Sequence, residues 1–170
     1  MTDELVAHYD AEGREVGAVP RSRVYAEGLW HACAGVLLRS ADGRRVFVHR
    51  RVQSKAVFAG LHDCVAGGVL DPGETFAGAA ARELAEELGV HDVVLHPFGR
   101  IAYDDGRWRY HLVVFEAFSD GPLVLQPDEV AAGCWWTPDE LRTHLADPRW
   151  PFVPDTRALL EQVAAERGGW

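Results

Sequence analysis

Apolar and polar positions alternate through Leu5-Val6-Ala7-His8-Tyr9 and again through Glu15-Val16-Gly17-Ala18-Val19, with Asp10-Ala11-Glu12-Gly13 between them. This pattern predicts a strand–turn–strand unit closed by Pro20. A long apolar run from Trp30 to Leu38 turns at Ala41-Asp42-Gly43 and returns as Val46-Phe47-Val48, which predicts a second hairpin with Arg50-Arg51 at its end. No period holds from Val52 to Leu61, so that stretch reads as loop. Cys64-Val65-Ala66 is a short buried strand running into Gly67-Gly68 and the turn Asp71-Pro72-Gly73-Glu74. Thr75 is an N-cap for a helix through Leu88, which Gly89 stops. Val93–Leu95, Arg100–Tyr103, Trp108–Phe118 and Val130–Trp136 are strand candidates. Thr137-Pro138-Asp139-Glu140 opens a short helix, with a capping-box pair and Pro at the first helical position. Asp155 to Arg167 carries Leu159, Leu160 and Val163 at helical spacing. Strands, one central helix, more strands and closing helices predict an α+β domain with a mixed sheet and helices on its faces.

The 170 residues suit a single domain, 1–170, with 1–28 as an N-terminal hairpin extension. At 48% hydrophobic and 25% charged residues the chain can bury a core, which excludes a disordered or low-complexity class. A net charge of -9 is the wrong sign for a general nucleic-acid coat. Cys33, Cys64 and Cys134 are odd in number and far apart, fitting neither a disulfide framework nor a zinc ribbon. Met1-Thr2-Asp3-Glu4 is acidic and no apolar run follows, so the expectation is no signal peptide, no membrane span and a reducing cytoplasm.

The chemistry concentrates between Gly68 and Val90. At ~100° per residue, Glu83, Glu86 and Glu87 fall within roughly a 100° arc of one helix. Leu84, Leu88, Ala81 and Ala85 take the opposite side, the expected core face. Like charges at i,i+3 and i,i+4 repel, and the C-terminal half of a helix disfavours negative charge. Such a face is either a solvated helix end or a set of oxygen ligands for a hard divalent cation, which would relieve the repulsion.

The flanks decide between these. Gly68, five residues, Glu74, seven residues and then Arg82-Glu83-Leu84-Ala85-Glu86-Glu87-Leu88-Gly89-Val90 match the Nudix box at every fixed position. Chance gives such a match with a probability on the order of 10⁻⁷ at average residue usage. The segment resembles the Nudix hydrolase family, and the resemblance implies an α/β/α sandwich with the box as a loop–helix–loop. It implies Glu83 and Glu87 as the principal Mg²⁺ ligands, Glu86 assisting, Mn²⁺ as a substitute and a backbone carbonyl of Gly67 or Gly68 as a further ligand. Glu74 and Arg82 resemble the pair that locks loop to helix and orients Glu83, a task suited to an Arg–carboxylate bond. The implied reaction is hydrolysis of a nucleoside diphosphate linked to a further group, with Glu83 or a nearby carboxylate taking the proton from water.

Roughly residues 4 to 165 can be laid along the branch that includes isopentenyl-diphosphate isomerase. The isomerase's cysteine and histidine positions are Gly67 and Val69 here, and its strand glutamates fall on Trp108 and Tyr110. Of its N-terminal metal histidines only His31 persists, and Cys64 lies three residues too early. Isomerase chemistry is therefore not expected. Arg50, Arg51 and Lys55 resemble phosphate-gripping residues of that branch, with strand-end surface charge as the alternative. Glu129 resembles the extra glutamate many Nudix hydrolases supply from outside the box, with an ordinary loop acid as the alternative and Glu116 as a weaker rival. His31 reads as a packed strand histidine, and the tryptophans read as core, one of them a candidate to stack on a base. Ala59-Gly60-Leu61-His62 stands where the family commonly has Pro-Gly-x-Trp, a departure that bears on the base pocket rather than the metal site. The expected partner is a small-molecule nucleotide, with neither nucleic acid nor membrane. A nucleotide-binding module without catalysis is the competing class, and the intact Glu83, Glu86 and Glu87 argue against it.

Overall fold

The apolar run from Trp30 to Leu38 has no polar alternation because it forms a strand buried on both faces; the computed structural model describes residues 3–170. Met1 and Thr2, which open the acidic start, lie outside the described residues. The elements are β1 (Leu5–Tyr9), β2 (Glu15–Pro20), α1 (Arg21–Glu27), β3 (His31–Arg39), β4 (Val46–Arg51), β5 (His62–Asp63), β6 (Val65–Val69), α2 (Phe76–Leu88), β7 (His96–Asp104), β8 (Arg109–Phe118), β9 (Val130–Trp136), α3 (Pro138–Leu145) and α4 (Pro154–Arg167).

β3 organises the sheet. It runs parallel to β8, from His31 opposite Tyr110 to Arg39 opposite Phe118. On its other side it runs antiparallel to β6, with Cys33 opposite Val69, Gly35 opposite Gly67 and Leu37 opposite Val65. Among the described residues β7 pairs only with β8, so it is an edge strand, where Pro97 is tolerated. β4 pairs with β5 and β9, and the β1–β2 hairpin joins at His8 opposite His31. Side-chain alternation then divides the core. Ala32, Ala34, Val36 and Leu38 of β3 face α2 with Ala80, Leu84 and Leu88. Leu37 packs on the opposite side with Leu112, Val114, Leu159, Leu160 and Val163, under α4. The result is the mixed sheet and N-terminal hairpin that the sequence pattern predicts, arranged as the α/β/α sandwich that the resemblance implies.

The helix ends follow their sequence signals. Thr75 accepts from the Gly78 amide at 3.1 Å, and Gly89 stops α2 at φ 68°. The Thr137–Glu140 capping box is formed in full. Four details differ from the pattern. α1 was not expected: of its seven residues only Val24 is buried, too little for a hydrophobic period to show. Val93–Leu95 is not a strand, because Asp92 turns the chain at φ 55° and β7 starts only at His96. Cys64 precedes β6 rather than belonging to it. The core face of α2 is rotated from the expected one: Ala81 is exposed and Ala85 half-buried, while Ala79, Ala80 and Glu87 are buried beside Leu84 and Leu88.

Candidate active site

That rotation gives the three glutamates unequal surroundings. The Glu87 side chain is drawn to the core edge and its residue is 2% exposed, whereas the Glu86 side chain is 58% exposed. Glu83 lies between them, against β6. A Cβ on Gly68 would stand 2.3 Å from Glu83 Oε1, so the missing side chain is the space the carboxylate occupies. Gly68 pairs with Ala34, on the sheet face that carries α2.

Arg82 fixes this arrangement. Its Nε donates to Glu74 Oε1 at 3.0 Å and its Nη2 to Glu74 Oε2 at 2.9 Å, a two-point pairing. Nη2 also donates to the Val69 carbonyl at 3.2 Å, and Nη1 donates to Glu83 Oε1 at 2.7 Å. Glu74 Oε2 in turn accepts from the Asp71 amide at 3.0 Å. The loop, β6 and α2 thus meet on one guanidinium. The bond to Arg82 holds the Glu74 carboxyl below its ordinary value. Burial pushes the Glu83 carboxyl up, with Arg82 opposing, and burial likewise raises Glu87, with Lys55 opposing.

Lys55 reaches Glu87 Oε1 at 3.4 Å and also pairs with Glu129. Glu129 is carried there by a segment that caps α2: the Val124 amide donates to Leu88 O at 3.0 Å and the Gln126 amide to Glu87 O at 2.9 Å. Its rival Glu116 is not in the site, because it is bound to Arg39 at 2.9 Å near the far end of β3. Arg50 is exposed and does not line the cleft, whereas Arg51 does, donating through Nη2 to the Val57 carbonyl at 3.2 Å.

These residues fit a divalent cation. The donors are hard carboxylate oxygens, Gly68 leaves a cradle for Glu83, and Glu87 Oε2 is buried with no hydrogen-bond partner. Among the described residues no three His, Cys, Asp or Glu side chains converge on one point: Arg82 takes Glu83 and Glu86, and Lys55 takes Glu87 and Glu129.

Beyond Gly67 a cleft of about 120 Å³ opens on the other face of the sheet, below α4. Its lining includes Tyr25, His31, Cys33, Arg51, Asp63, Trp108, Tyr110 and Asp155. Tyr25, Cys33, Asp63 and Asp155 carry no sequence signal of this role. His31 is packed, as expected, and burial lowers it to about 4, so it is neutral. Of the tryptophans, Trp108 lines the cleft, with Tyr25 edge-on at 5.2 Å. Cys64 is buried and does not line the cleft; the thiol there belongs to Cys33, and burial pushes it up.

Burial, then the charge of Asp155, pushes the Asp63 carboxyl up to about 7, and burial raises Asp155 as well. The folded pair keeps a proton that an unfolded chain gives up above about pH 4. Its stabilising effect is full in acid and is lost as pH climbs through about 7. The urea midpoint of the wild type is expected to fall more between about pH 5 and about pH 7.5 than that of Asp63→Asn. Parallel midpoints would show that the pair does not titrate there.

The NUDIX domain family model matches residues 29–156. The Nudix hydrolase orf19 of Rhodococcus erythropolis is 55% identical over 168 residues, covering 93% of this chain and 90% of the relative. The Nudix hydrolase PA4841 of Pseudomonas aeruginosa is 40% identical, covering 92% and 91%. The crystal structure of DR0079 from Deinococcus radiodurans matches with a TM-score of 0.77 at 24% identity, over 95% of this chain and 98% of that one. The NUDIX domain of Shewanella oneidensis NrtR, complexed with ADP ribose, matches with a TM-score of 0.63 at 20% identity, over 88% and 99%. No helix among the described residues is long and apolar enough to cross a membrane. The complete box, the locked Glu74–Arg82–Glu83 arrangement and relatives spanning nearly the whole chain make it a member of the Nudix hydrolase family, acting on phosphoric anhydrides.

Proposed function

We propose that this protein is a Mg²⁺-dependent pyrophosphohydrolase that cleaves a nucleoside di- or triphosphate, or another nucleoside diphosphate derivative, and releases a nucleoside monophosphate. The observation that carries this reading is the Glu83 carboxylate held by Arg82 in the space left by Gly68, beside a buried unpaired oxygen of Glu87. Glu83, Glu87 and Glu86, with a backbone carbonyl of Gly67 or Gly68, would hold the ion. Bound there, it polarises phosphoryl oxygens and lowers the pKa of the attacking water. Glu83 or a neighbouring carboxylate accepts the proton from that water. Lys55 stands at the cleft mouth beside Glu87 and supplies positive charge for the phosphates, Arg51 lines the cleft further in, and Glu129 adds a carboxylate beside Lys55. Arg50, turned to solvent, has no part in this reading. The ADP ribose of the Shewanella domain is of the proposed substrate class, a nucleoside diphosphate bearing a second group.

The test is a panel of nucleotides incubated with Mg²⁺ and scored by product identity, with a prenyl diphosphate as a further arm. Release of a nucleoside monophosphate, abolished by excess chelator, is expected, because open carboxylate sites hold hard ions weakly. Undiminished turnover in chelator would remove the metal assignment. Formation of the dimethylallyl isomer from isopentenyl diphosphate, faster than any nucleotide hydrolysis, would replace the reading altogether.

A further inference from the structure

Two buried polar atoms in the cleft have no protein partner, Asp155 Oδ1 and Arg51 Nε. One is an oxygen of a carboxyl group and the other an N–H donor, and leaving either unpaired away from water is costly. Their neighbours are already committed. Asp63 Oδ1 accepts from the amides of Cys64 at 2.8 Å and Val65 at 3.0 Å and from Thr156 Oγ1 at 3.0 Å. Asp63 Oδ2 lies 3.9 Å from Arg51 Nη1, and Arg51 Nη2 is taken by the Val57 carbonyl. Asp155 interacts with the Tyr110 hydroxyl and the Thr156 amide, yet its Oδ1 is left without a hydrogen bond. Nor does the family box account for it, since it enters from the first turn of α4.

We infer that Asp155 and Arg51 form the subsite that reads the organic end of the substrate, and that this end is a nucleobase presenting an N–H donor beside an acceptor. The base would donate to Asp155 and accept from Arg51 Nε–H. Tyr25, Trp108 and Tyr110 give the cleft aromatic walls suited to a flat ring. At ~10–15 Å³ for each water-sized position, a cavity of about 120 Å³ has room on the order of ten of them, the scale of a base. The cleft also reaches Gly67 and Gly68, so a nucleoside lying in it directs its phosphates toward Glu83 and Glu87. A hydrocarbon tail would bury both polar atoms unpaired, and a site built to hydrogen-bond its ligand rejects one that cannot. A phosphate would meet the carboxyl groups of Asp63 and Asp155, so the anionic end of a substrate does not belong on this floor.

This inference rests on the reading of the site as one for nucleoside diphosphates, but its test needs neither phosphate nor metal. Binding of adenosine, cytidine, guanosine and uridine to the metal-free protein is measured by tryptophan fluorescence and calorimetry. Purine riboside, whose base keeps ring nitrogens but has no N–H, and isopentenol are the comparison ligands. At least one nucleoside is expected to bind about tenfold or more tightly than both, and Asp155→Ala to weaken that nucleoside by a similar factor. If Asp155→Ala does not fold, the ligand series on the wild type decides. The inference fails if no nucleoside exceeds purine riboside, if isopentenol binds best, or if folded Asp155→Ala binds as the wild type does. Nucleotide hydrolysis with any of these results would overturn the base subsite alone. Asp155-dependent nucleoside binding without hydrolysis would uphold the subsite and overturn the hydrolase reading.

Discussion

Glu87→Gln is expected to lower kcat by about 10²-fold or more at saturating Mg²⁺ while the protein stays folded. The substitution keeps the shape of a side chain that is 2% exposed, so packing against the core edge is preserved. It removes the charge that faces Lys55 at 3.4 Å and turns one donor oxygen of the candidate metal site into an amide. Glu83 and Glu87 repel each other one turn apart, and burial already opposes the Glu87 charge, so the variant is expected to melt no lower than the wild type. Stopped assays at several Mg²⁺ concentrations, thermal melting and Mn²⁺ binding followed by electron paramagnetic resonance check the three parts separately. A rate near that of the wild type would place the ligand role on other residues.

The paired glycines of β6 should fail in opposite ways. In Gly68→Ala the new Cβ would lie 2.3 Å from Glu83 Oε1, the end of a flexible side chain that can move aside. The fold is expected to survive while the carboxylate leaves its place, with a loss of about 10²-fold in turnover, the scale of a small misplacement at a reacting centre. Mn²⁺ affinity should fall with it. In Gly67→Ala the Cβ would meet backbone, the Ala34 oxygen at 2.4 Å and Gly35 Cα at 2.8 Å. Neither can yield without disturbing the sheet, and a stability loss of about 1–3 kcal/mol or more is expected. Urea unfolding of both variants separates the two effects. A Gly68→Ala protein with full activity and metal affinity would mean that Glu83 does not need its cradle.

What the sequence reveals depends on how local the signal is. α2 is legible because its cap, its period and its box all lie within one continuous segment, and the loop-to-helix pair Glu74–Arg82 is legible for the same reason. Even there the helical wheel misplaces the core face: Glu87 lies near its edge, and tertiary packing against β3 and β6 buries it. Of Arg50 and Arg51, alternation along β4 and the irregular pairing between them turn one outward and one into the cleft, which a charge pair read as a unit conceals. The cleft itself is illegible, because each lining residue has an ordinary local explanation. Asp155 looks like an acid in the first turn of a helix, where acids are favoured, and only the folded chain shows its oxygen unpaired.

Gly35 opposite Gly67 also limits how the chain can assemble. Cross-strand backbones that approach this closely admit no side chain at either position: a Cβ on Gly35 would come within 2.4 Å of Val65 Cγ1 and 2.7 Å of the Ala66 oxygen. A slip of β6 by two residues would keep its faces but set Val65 against Gly35 and Gly67 against Cys33, or Val69 against Gly35 and Gly67 against Leu37. Only one alignment lets the two bare backbones meet. That alignment also sets Gly68 beside α2 at the height of Glu83, so the pair of residues that fixes the register of β6 also places the candidate metal-binding carboxylate.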